Sequence, residues 1–380
     1  MTARILLVAI VLFVLVAVSG QARAFDTTAR EAILIEVETG TVLLEKNSQE
    51  ITFPSSMTKL MTIYLLFERL AEGSLSLTDT LPVSEKAWRM GGSKMFVEVD
   101  TDVTVEDLIR GIVVQSGNDA TIVVAEGLAG SEDAFARLMT DKAREMGIMA
   151  TSFQNASGWP DPNHVTTVAD LAILAQRLIE DFPQYYGYYS ETEFTFSDIT
   201  QSNRNPLLYA GIGADGLKTG YTEAAGYGLA ASATEGDRRL ILVVNGFDSS
   251  QARASESQRI LEWGFREFDT YDLFAAGEPV SEAEVWLGNS ADLPLVLAED
   301  LEVTLSREAR RDMVVKVVYD GPIPAPIVEG APIASLVIEL PDMEPVERTL
   351  LAGADVGELS FFSRLGESIG YLIFGPPSTP

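Results

Sequence analysis

Three short motifs of reactive side chains follow one another along the chain. They are Ser56-Met57-Thr58-Lys59, Ser116-Gly117-Asn118 and Lys218-Thr219-Gly220, with the patterns S-x-x-K, S-x-N and K-T-G. Each motif alone is weak evidence, because S-x-x-K is expected about once by chance in a chain of this length. All three in this order indicate a serine nucleophile that is activated by a lysine.

The first motif pairs the hydroxyl of Ser56 with the amine of Lys59. Apolar residues recur at helical spacing from there to about Leu70, and positions three apart share a helix face, so the two groups should be neighbours. A serine hydroxyl attacks only when a base takes its proton. Lys59 can be that base if burial or a second cation, for which Lys218 is the candidate, lowers its pKa. The helix start also favours the Ser56 backbone N–H as an oxyanion donor.

The other two motifs supply groups suited to a peptide that ends in a carboxylate. Ser116 can relay a proton toward a leaving amine, and Asn118 can hydrogen-bond a substrate amide. Lys218 and Thr219 are suited to bind a carboxylate. Gly220 has no Cβ and therefore lets a substrate backbone come close.

Hydrophobic periodicity predicts which elements carry these motifs. Residues 31–45 alternate as in a β-hairpin, residues 101–180 are mostly helical, and residues 214–245 alternate again, before a helix from Ala252 to Phe268. This order is not a βαβ repeat. It predicts an α+β domain whose antiparallel sheet uses both ends of the sequence and is flanked by helices. Tyr221, directly after the third motif, would contribute the second oxyanion N–H.

The pattern of apolar residues changes after the helix predicted from Ala252 to Phe268. Residues 273–357 contain short alternating runs separated by turn signals, which predict a small all-β domain after a catalytic domain of residues 25–272. Residues 358–375 predict a terminal amphipathic helix that is too short and too polar to cross a bilayer. Such a helix either lies in a membrane surface or packs on the β domain, and we favour the membrane surface.

The N-terminus has the pattern of an export signal. Arg4 precedes an apolar run from Ile5 to Val18, and Ala22-Arg23-Ala24 places small residues where a signal peptidase cleaves. Residues 1–24 are therefore predicted to be a signal peptide. An uncleaved membrane anchor is less favoured, because the run is short for a membrane span.

Composition excludes several functional classes. Of 380 residues, 56 are acidic and 27 are basic, and the net charge of −29 argues against a nucleic-acid partner. The chain has no cysteine, which excludes thiol nucleophiles and Cys-type zinc sites. Its one histidine, His164, excludes a His-rich metal site, and we interpret it as structural. We expect no metal and no cofactor.

The motifs and their surroundings resemble the serine-type D-alanyl-D-alanine carboxypeptidases, the low-molecular-mass penicillin-binding proteins. The segments FPSSMTKLMT, VTVEDLIRGIVVQSGNDATIVVAEGLAG and GADGLKTGYTEAAGYGLAASAT carry this resemblance, which covers roughly residues 26–372. It implies a penicillin-binding or β-lactamase-like fold. It also implies that Ser56 attacks the bond between the two D-alanines of a peptidoglycan stem pentapeptide, and that β-lactams acylate the same serine. The enzyme would work in a bacterial periplasm, on the outer face of the inner membrane.

Some residues depart from the family pattern or admit two interpretations. Ser157 and Trp159 replace the more usual histidine and leucine, and Tyr221 follows K-T-G where some members have histidine, so substrate preference stays open. Arg253 matches an arginine that members hold near the substrate carboxylate, and a solvated arginine at a helix start is the alternative.

Three alternative activities follow from the same motifs. A class A β-lactamase is disfavoured, because no E-x-x-L-N stretch lies between the second and third motifs. An endopeptidase that cuts peptidoglycan cross-links and a catalytically inactive peptidoglycan-binding protein stay open.

Overall fold

The computed structural model describes residues 25–340 and 345–360. The predicted signal peptide and residues 361–375 of the predicted terminal helix lie outside these ranges. The helix was expected to begin at residue 358, but Glu358 forms an isolated β-bridge with Gly288 and residues 358–360 are not helical. The helices are α1 Lys59–Ala71, α2 Glu85–Arg89, α3 Val105–Val113, α4 Asn118–Ala129, α5 Glu132–Glu145, α6 Val168–Asp181, α7 Pro183–Tyr186, α8 Ser250–Glu267 and α9 Ala309–Asp312. Single turns of 3-10 helix span Ser55–Thr58, Gly187–Ser190 and Pro206–Tyr209.

The strands fall into an N-terminal pair, a central group and a C-terminal group. They are β1 Glu31–Glu36, β2 Val42–Lys46, β3 Thr80–Pro82, β4 Asp102–Thr104, β5 Glu193–Phe196, β6 Ile199–Ser202, β7 Ala214–Thr222, β8 Gly226–Glu235, β9 Arg238–Phe247, β10 Phe268–Phe274, β11 Pro279–Trp286, β12 Asp292–Val296, β13 Leu301–Ser306, β14 Val314–Val318, β15 Ile323–Pro324, β16 Pro332–Glu339 and β17 Val346–Ala352.

A five-stranded antiparallel sheet organises the larger part of the molecule. Its strand order is β2-β1-β9-β8-β7, so the N-terminal hairpin pairs with a strand more than 200 residues later, as Leu34 opposite Leu242 shows. The predicted sheet built from both ends of the sequence is confirmed. β7, which carries the third motif, is an edge strand of this sheet. The backbone N–H and C=O groups on its outer side are not paired with another strand of the sheet, so they can hydrogen-bond to a neighbouring segment or to a substrate.

Both faces of this sheet are covered, which explains why its strands are apolar along their whole length. On β9, Ile241 and Val243 face a core shared with α1 and α6. The alternating residues Leu240, Leu242 and Val244 face a second core closed by α8. Successive side chains of a strand point to opposite faces, so a strand between two layers must be apolar at every position.

Helix α1 lies inside the larger core and thereby buries the first motif. Ten of its thirteen residues are buried, including Leu60, Ile63 and Phe67. A helix that is apolar on all sides is stable only when other elements surround it. Lys59, as the first residue of α1, is therefore carried into the protein interior.

The C-terminal strands form a separate core. A six-stranded sheet has the order β14-β16-β17-β12-β11-β15, and β10 pairs with β13 beside it. The expected boundary between residues 272 and 273 lies inside β10. The β10–β13 ribbon contacts the larger part through hydroxyl groups: Thr304 Oγ1 lies 2.8 Å from Thr39 Oγ1. Arg238 also donates to the Phe268 carbonyl at 2.8 Å.

Candidate active site

Ser56, the serine of the first motif, lies in the 3-10 turn Ser55–Thr58, and α1 begins directly after this turn at Lys59. The tighter turn keeps positions three apart on one side. Lys59 Nζ is 3.0 Å from Ser56 Oγ, as the spacing predicts. Ser56 is half-buried and open to the surface, whereas Lys59 is only 1% exposed.

Lys59 Nζ lies within hydrogen-bond distance of three oxygen atoms, and these contacts indicate how a neutral Lys59 amine would be oriented. Besides Ser56, it donates to Asn118 Oδ1 at 2.8 Å and to the Ser157 carbonyl at 2.6 Å. Those two oxygens can only accept hydrogen bonds, so a neutral amine would donate both of its N–H groups to them. Its lone pair would then face the Ser56 hydroxyl, which is the geometry of a general base.

The charge state of Lys59 depends on burial and on one nearby arginine. Burial, followed by the positive charge of Arg204, lowers the pKa of Lys59 from 10.5 to about 7, while Asp119 acts in the opposite direction. Lys218 was the expected candidate for the second cation, and Arg204 is a further cation that acts on Lys59. Lys218 is close enough to Lys59 that the positive charge of Lys59 lowers the pKa of Lys218.

The second motif forms the turn between α3 and α4 and faces Lys59. Asn118 begins α4, and its Nδ2 donates to the Gly91 carbonyl at 3.0 Å while Oδ1 accepts from Lys59. Ser116 is buried with a left-handed φ of 59°, and its hydroxyl hydrogen-bonds to none of the described residues. A strained non-glycine residue with an unengaged hydroxyl fits the predicted role of proton relay.

The third motif lies on β7, directly against the serine turn. A Cβ on Gly220 would come within 3.1 Å of both the Pro54 carbonyl and Ser55 Cβ, so a side chain there would push the strand away. Ser55 Oγ also donates to Thr222 Oγ1 at 3.2 Å. The fold thus places the edge of β7 beside Ser56.

Positive charge collects around Lys218, in the middle of this strand. Burial lowers the pKa of Lys218 well below its usual range, and the charges of Lys59, Arg204 and Arg253 lower it further. Arg253 is buried, and its Nε has no hydrogen-bond partner among the described residues. Burial therefore contradicts the alternative of a solvated arginine. The charges that act on Lys218 are all positive, and such a surrounding favours a bound anion.

Two tyrosines cover the side of this cationic region. The rings of Tyr221 and Tyr227 lie 4.2 Å apart between centroids, and Arg253 Cζ is 5.8 Å from the Tyr227 centroid. Tyr221 is 53% exposed, so its ring borders the open cleft. Its position on the edge strand next to Gly220 is the one expected for an oxyanion donor.

Comparison with known proteins agrees with this geometry. Residues 17–249 match the family described as D-alanyl-D-alanine carboxypeptidase. The chain belongs to this family. Residues 268–358 match the C-terminal domain of penicillin-binding protein 5. The predicted fold, a penicillin-binding domain followed by an all-β domain, is confirmed.

Relatives extend over most of this carboxypeptidase. It is 37% identical to D-alanyl-D-alanine carboxypeptidase DacA of Haemophilus influenzae, over 89% of this chain and 88% of the relative. Identity to DacC of Escherichia coli is 36%, over 90% and 87%. The crystal structure of penicillin-binding protein 5 from Haemophilus influenzae superposes with a TM-score of 0.76 at 36% identity, covering 88% of this chain and 98% of that one.

A more distant structure contains a drug. Penicillin-binding protein D2 of Listeria monocytogenes, in an ampicillin-bound form, has a TM-score of 0.58 at 28% identity. It covers 63% of this chain and 98% of that one. The match therefore concerns one part of the carboxypeptidase and not its whole length.

The histidine of this carboxypeptidase is structural, as predicted. Gln154 N donates to His164 Nδ1 at 3.2 Å, so the ring proton is on Nε2, which lies 2.9 Å from Thr58 Oγ1. Burial lowers the pKa of His164 to about 4, and the ring is neutral at physiological pH. A neutral imidazole bound to a threonine is not placed to activate Ser56.

Three groups at the site were not anticipated from the sequence. They are the Ser157 carbonyl, Arg204 and Asp119. Asp119 is fully buried and accepts from the backbone N–H groups of Met95 and Phe96 at 2.8 Å each, which holds the second motif against the loop before it. Its place directly after S-x-N, in the first turn of a helix, was a usable signal. Arg204 and the carbonyl carry no local signal, because only the tertiary fold brings them to Lys59.

The loop that supplies this carbonyl has no room for another side chain. Gly158 has a φ of 81°, and a Cβ there would lie 1.7 Å from the Ser55 carbonyl oxygen. The glycine thus sets the distance between the loop and the serine turn. In the described part of the chain, no group of acidic or histidine side chains could hold a metal ion.

Proposed function

We propose that this carboxypeptidase removes the terminal D-alanine from peptidoglycan stem pentapeptides through an acyl-enzyme on Ser56. The observation that carries the proposal is the position of Lys59, which is buried, bonded to two pure acceptors and 3.0 Å from the Ser56 hydroxyl. With a pKa of about 7, this amine is substantially neutral near neutral pH. No other base lies within hydrogen-bond distance of Ser56 in the described residues.

Acylation would proceed through the groups around Lys59. The Ser56 oxygen attacks the carbonyl between the two D-alanines as its proton passes to Lys59, and backbone N–H groups of Ser56 and Tyr221 would stabilise the oxyanion. The C–N bond then breaks, and the leaving amine takes a proton from Lys59 through Ser116. Water hydrolyses the ester and releases the shortened peptide.

The terminal carboxylate of the substrate would bind beside Lys218 and Thr219, in the middle of β7. Lys218, Thr219 and Arg253 provide two buried cations and a hydroxyl there. A bound anion raises the pKa of Lys218 again and so favours its charged form, because the opposite charge offsets the cost of burial. The site would therefore prefer a peptide with a free C-terminal carboxylate.

β-Lactams would acylate the same serine. Support comes from the ampicillin-bound form of the Listeria monocytogenes relative.

Mass spectrometry tests the proposed function directly. A stem pentapeptide incubated with the purified protein should lose one alanine per peptide. Cleavage of a cross-linked peptide dimer instead would favour the endopeptidase. A folded protein that takes up no fluorescent penicillin would favour the inactive binding protein.

The rate of acylation should depend on pH through Lys59. Only the neutral amine accepts a proton, so the second-order rate of penicillin acylation should rise about tenfold per pH unit below pH 7 and level off above it. Arg204→Gln removes a charge that lowers this pKa, so the midpoint should move to higher pH, while Arg204→Lys should restore it. Stopped-flow acylation across pH 5–9 measures both. A profile that is flat through pH 7 would contradict the assignment of Lys59 as base.

We also propose two domains, with the division close to Phe268. Strand β10 begins at that residue and pairs with β13, a strand of the C-terminal part. The match to the C-terminal domain of penicillin-binding protein 5 also begins at residue 268. These observations favour a domain boundary a few residues before the one that the sequence pattern predicts, between residues 272 and 273.

The remaining proposal concerns location: a periplasmic enzyme held on the inner membrane surface by residues 358–375. Support comes from the amphipathic pattern of that segment. Within residues 25–340 and 345–360, no helix is long and apolar enough to cross a membrane. Removing residues 361–380 keeps the backbone bond from Leu359 to Leu287 and should move the exported protein from the membrane to the soluble fraction. A full-length protein that is already soluble after cell lysis would contradict the anchor.

A further inference from the structure

The charge of Arg204 acts on both lysines of the site, although Arg204 is an exposed residue. An arginine side chain has many rotamers in water, so an exposed guanidinium stays in one place only when other groups hold it. The guanidinium is held on the side of the second motif, where Arg204 Nη1 donates to Ser93 Oγ. The Ser93 carbonyl in turn accepts the Asn118 N–H at 2.8 Å, which places this contact beside the start of α4.

The backbone on the other side of the guanidinium is fixed by Asn205. This side chain is 1% exposed, and its Nδ2 donates at 2.7 Å to the carbonyl of Gly216, two residues before Lys218 on β7. Its Oδ1 accepts the Leu207 N–H at 3.1 Å and thereby caps the 3-10 turn Pro206–Tyr209. One buried amide thus ties the loop to the strand of the third motif and also begins the turn that follows.

A second buried asparagine holds the loop from the opposite direction. Asn203 donates from Nδ2 to the Glu191 carbonyl at 2.9 Å and from its backbone N–H to the Thr192 carbonyl at 2.7 Å. Its Oδ1 accepts the Asn205 N–H at 3.0 Å. Short amide side chains commonly hold irregular backbone by such bonds. Arg204 therefore lies between two residues whose positions are set by backbone groups of other elements.

We propose that Asn205 is a positioning residue, which ties the loop to β7 and, together with Ser93, holds the Arg204 guanidinium between the second and third motifs. The inference rests on the proposed function, because it assigns to Asn205 an influence on the base of that mechanism. When the loop is released, the positive charge of Arg204 lies farther from Lys59 on average. The amine then keeps its proton to higher pH.

The variant Asn205→Ser separates the two bonds that this side chain makes. Serine is also a good N-cap, so it can still accept from the turn, but its hydroxyl is too short to reach the Gly216 carbonyl. The midpoint of the pH profile of penicillin acylation should rise by about half a pH unit, toward the midpoint of Arg204→Gln. In an Arg204→Gln background, Asn205→Ser should cause no further shift, because the charge that it positions is already absent.

Tyr186→Phe is the matched control. Tyr186 Oη donates to Asp215 Oδ1 at 2.9 Å, so this change removes one hydrogen bond from the residue before Gly216 and leaves the bonds of Asn205 in place. It should lower the unfolding temperature to a similar degree as Asn205→Ser does, without moving the midpoint. An unchanged midpoint in Asn205→Ser, or an equal shift with and without Arg204, would overturn the positioning role.

Ser93→Ala tests the other contact of the guanidinium and does not depend on the folding of Asn205→Ser. It removes the hydroxyl and keeps the backbone carbonyl that accepts from Asn118. The midpoint should again move to higher pH, and only while Arg204 is present. An unchanged midpoint in folded Ser93→Ala protein would overturn the inference as well. A wild-type profile that is flat through pH 7 would instead contradict Lys59 as the base of the proposed function.

Discussion

Replacing Ser56 by alanine should abolish covalent labelling by penicillin and lower D-alanine release by on the order of 10⁶-fold. The hydroxyl oxygen is the atom that forms the acyl bond, and the neighbouring Ser55 cannot replace it, because its Oγ donates to Thr222 Oγ1 at 3.2 Å on the side of β7. Intact-protein mass spectrometry after incubation with a β-lactam measures the adduct directly.

Folding is the necessary control for this variant. Ser56 is half-buried, and its hydroxyl has one described contact, to Lys59, so its loss should change the free energy of unfolding by only about 1 kcal/mol. Thermal unfolding should therefore resemble that of the wild type. A folded Ser56→Ala protein that still carried one covalent β-lactam would refute the nucleophile.

Replacing Lys59 by methionine should lower the acylation rate by about 10³- to 10⁴-fold while Ser56 is still present. Methionine has a similar length and is suited to a buried position, so the change removes the base more than it disturbs the packing of α1. The remaining rate should also lose its dependence on pH near 7, because the amine that titrates there is gone. Penicillin acylation measured from pH 5 to pH 9 tests both effects.

The variant Lys59→Arg tests whether acylation needs only a positive charge at position 59 or a group that can accept a proton. The guanidinium keeps the positive charge and donates hydrogen bonds, but it does not become neutral in the accessible pH range. It should therefore acylate as slowly as the methionine variant. If Lys59→Arg kept most of the wild-type rate, Lys59 would act by its charge and not as a base.

Sequence patterns predicted the elements of this protein well where local geometry decides them. The hairpin at residues 31–45, the strands within residues 214–245 and the helix from Ala252 all occur close to their expected bounds. The short alternating runs predicted within residues 273–357 also form strands. Periodicity reports these elements because each buries one or two faces of a regular backbone.

Other features lay outside the reach of a local pattern. The pairing of β10 with β13 joins segments about thirty residues apart, and no local pattern contains that pairing. The second cation of the lysine was assigned to Lys218 from motif order alone. Arg204 also acts on Lys59, and it was not predicted, because its only local context is a loop between β6 and a 3-10 turn.

The amino-acid sequence by itself determined that a serine and a lysine would be neighbours, since a spacing of three residues in a helical turn brings Ser56 and Lys59 together in any surroundings. What the lysine can do there was decided by tertiary structure. Its acceptors come from Asn118 and from Ser157, which is 98 residues away, and its low pKa comes from burial inside the core around α1. The burial of Lys59 and the charges near it depend on the whole folded chain, so a short sequence motif does not determine the pKa of the lysine.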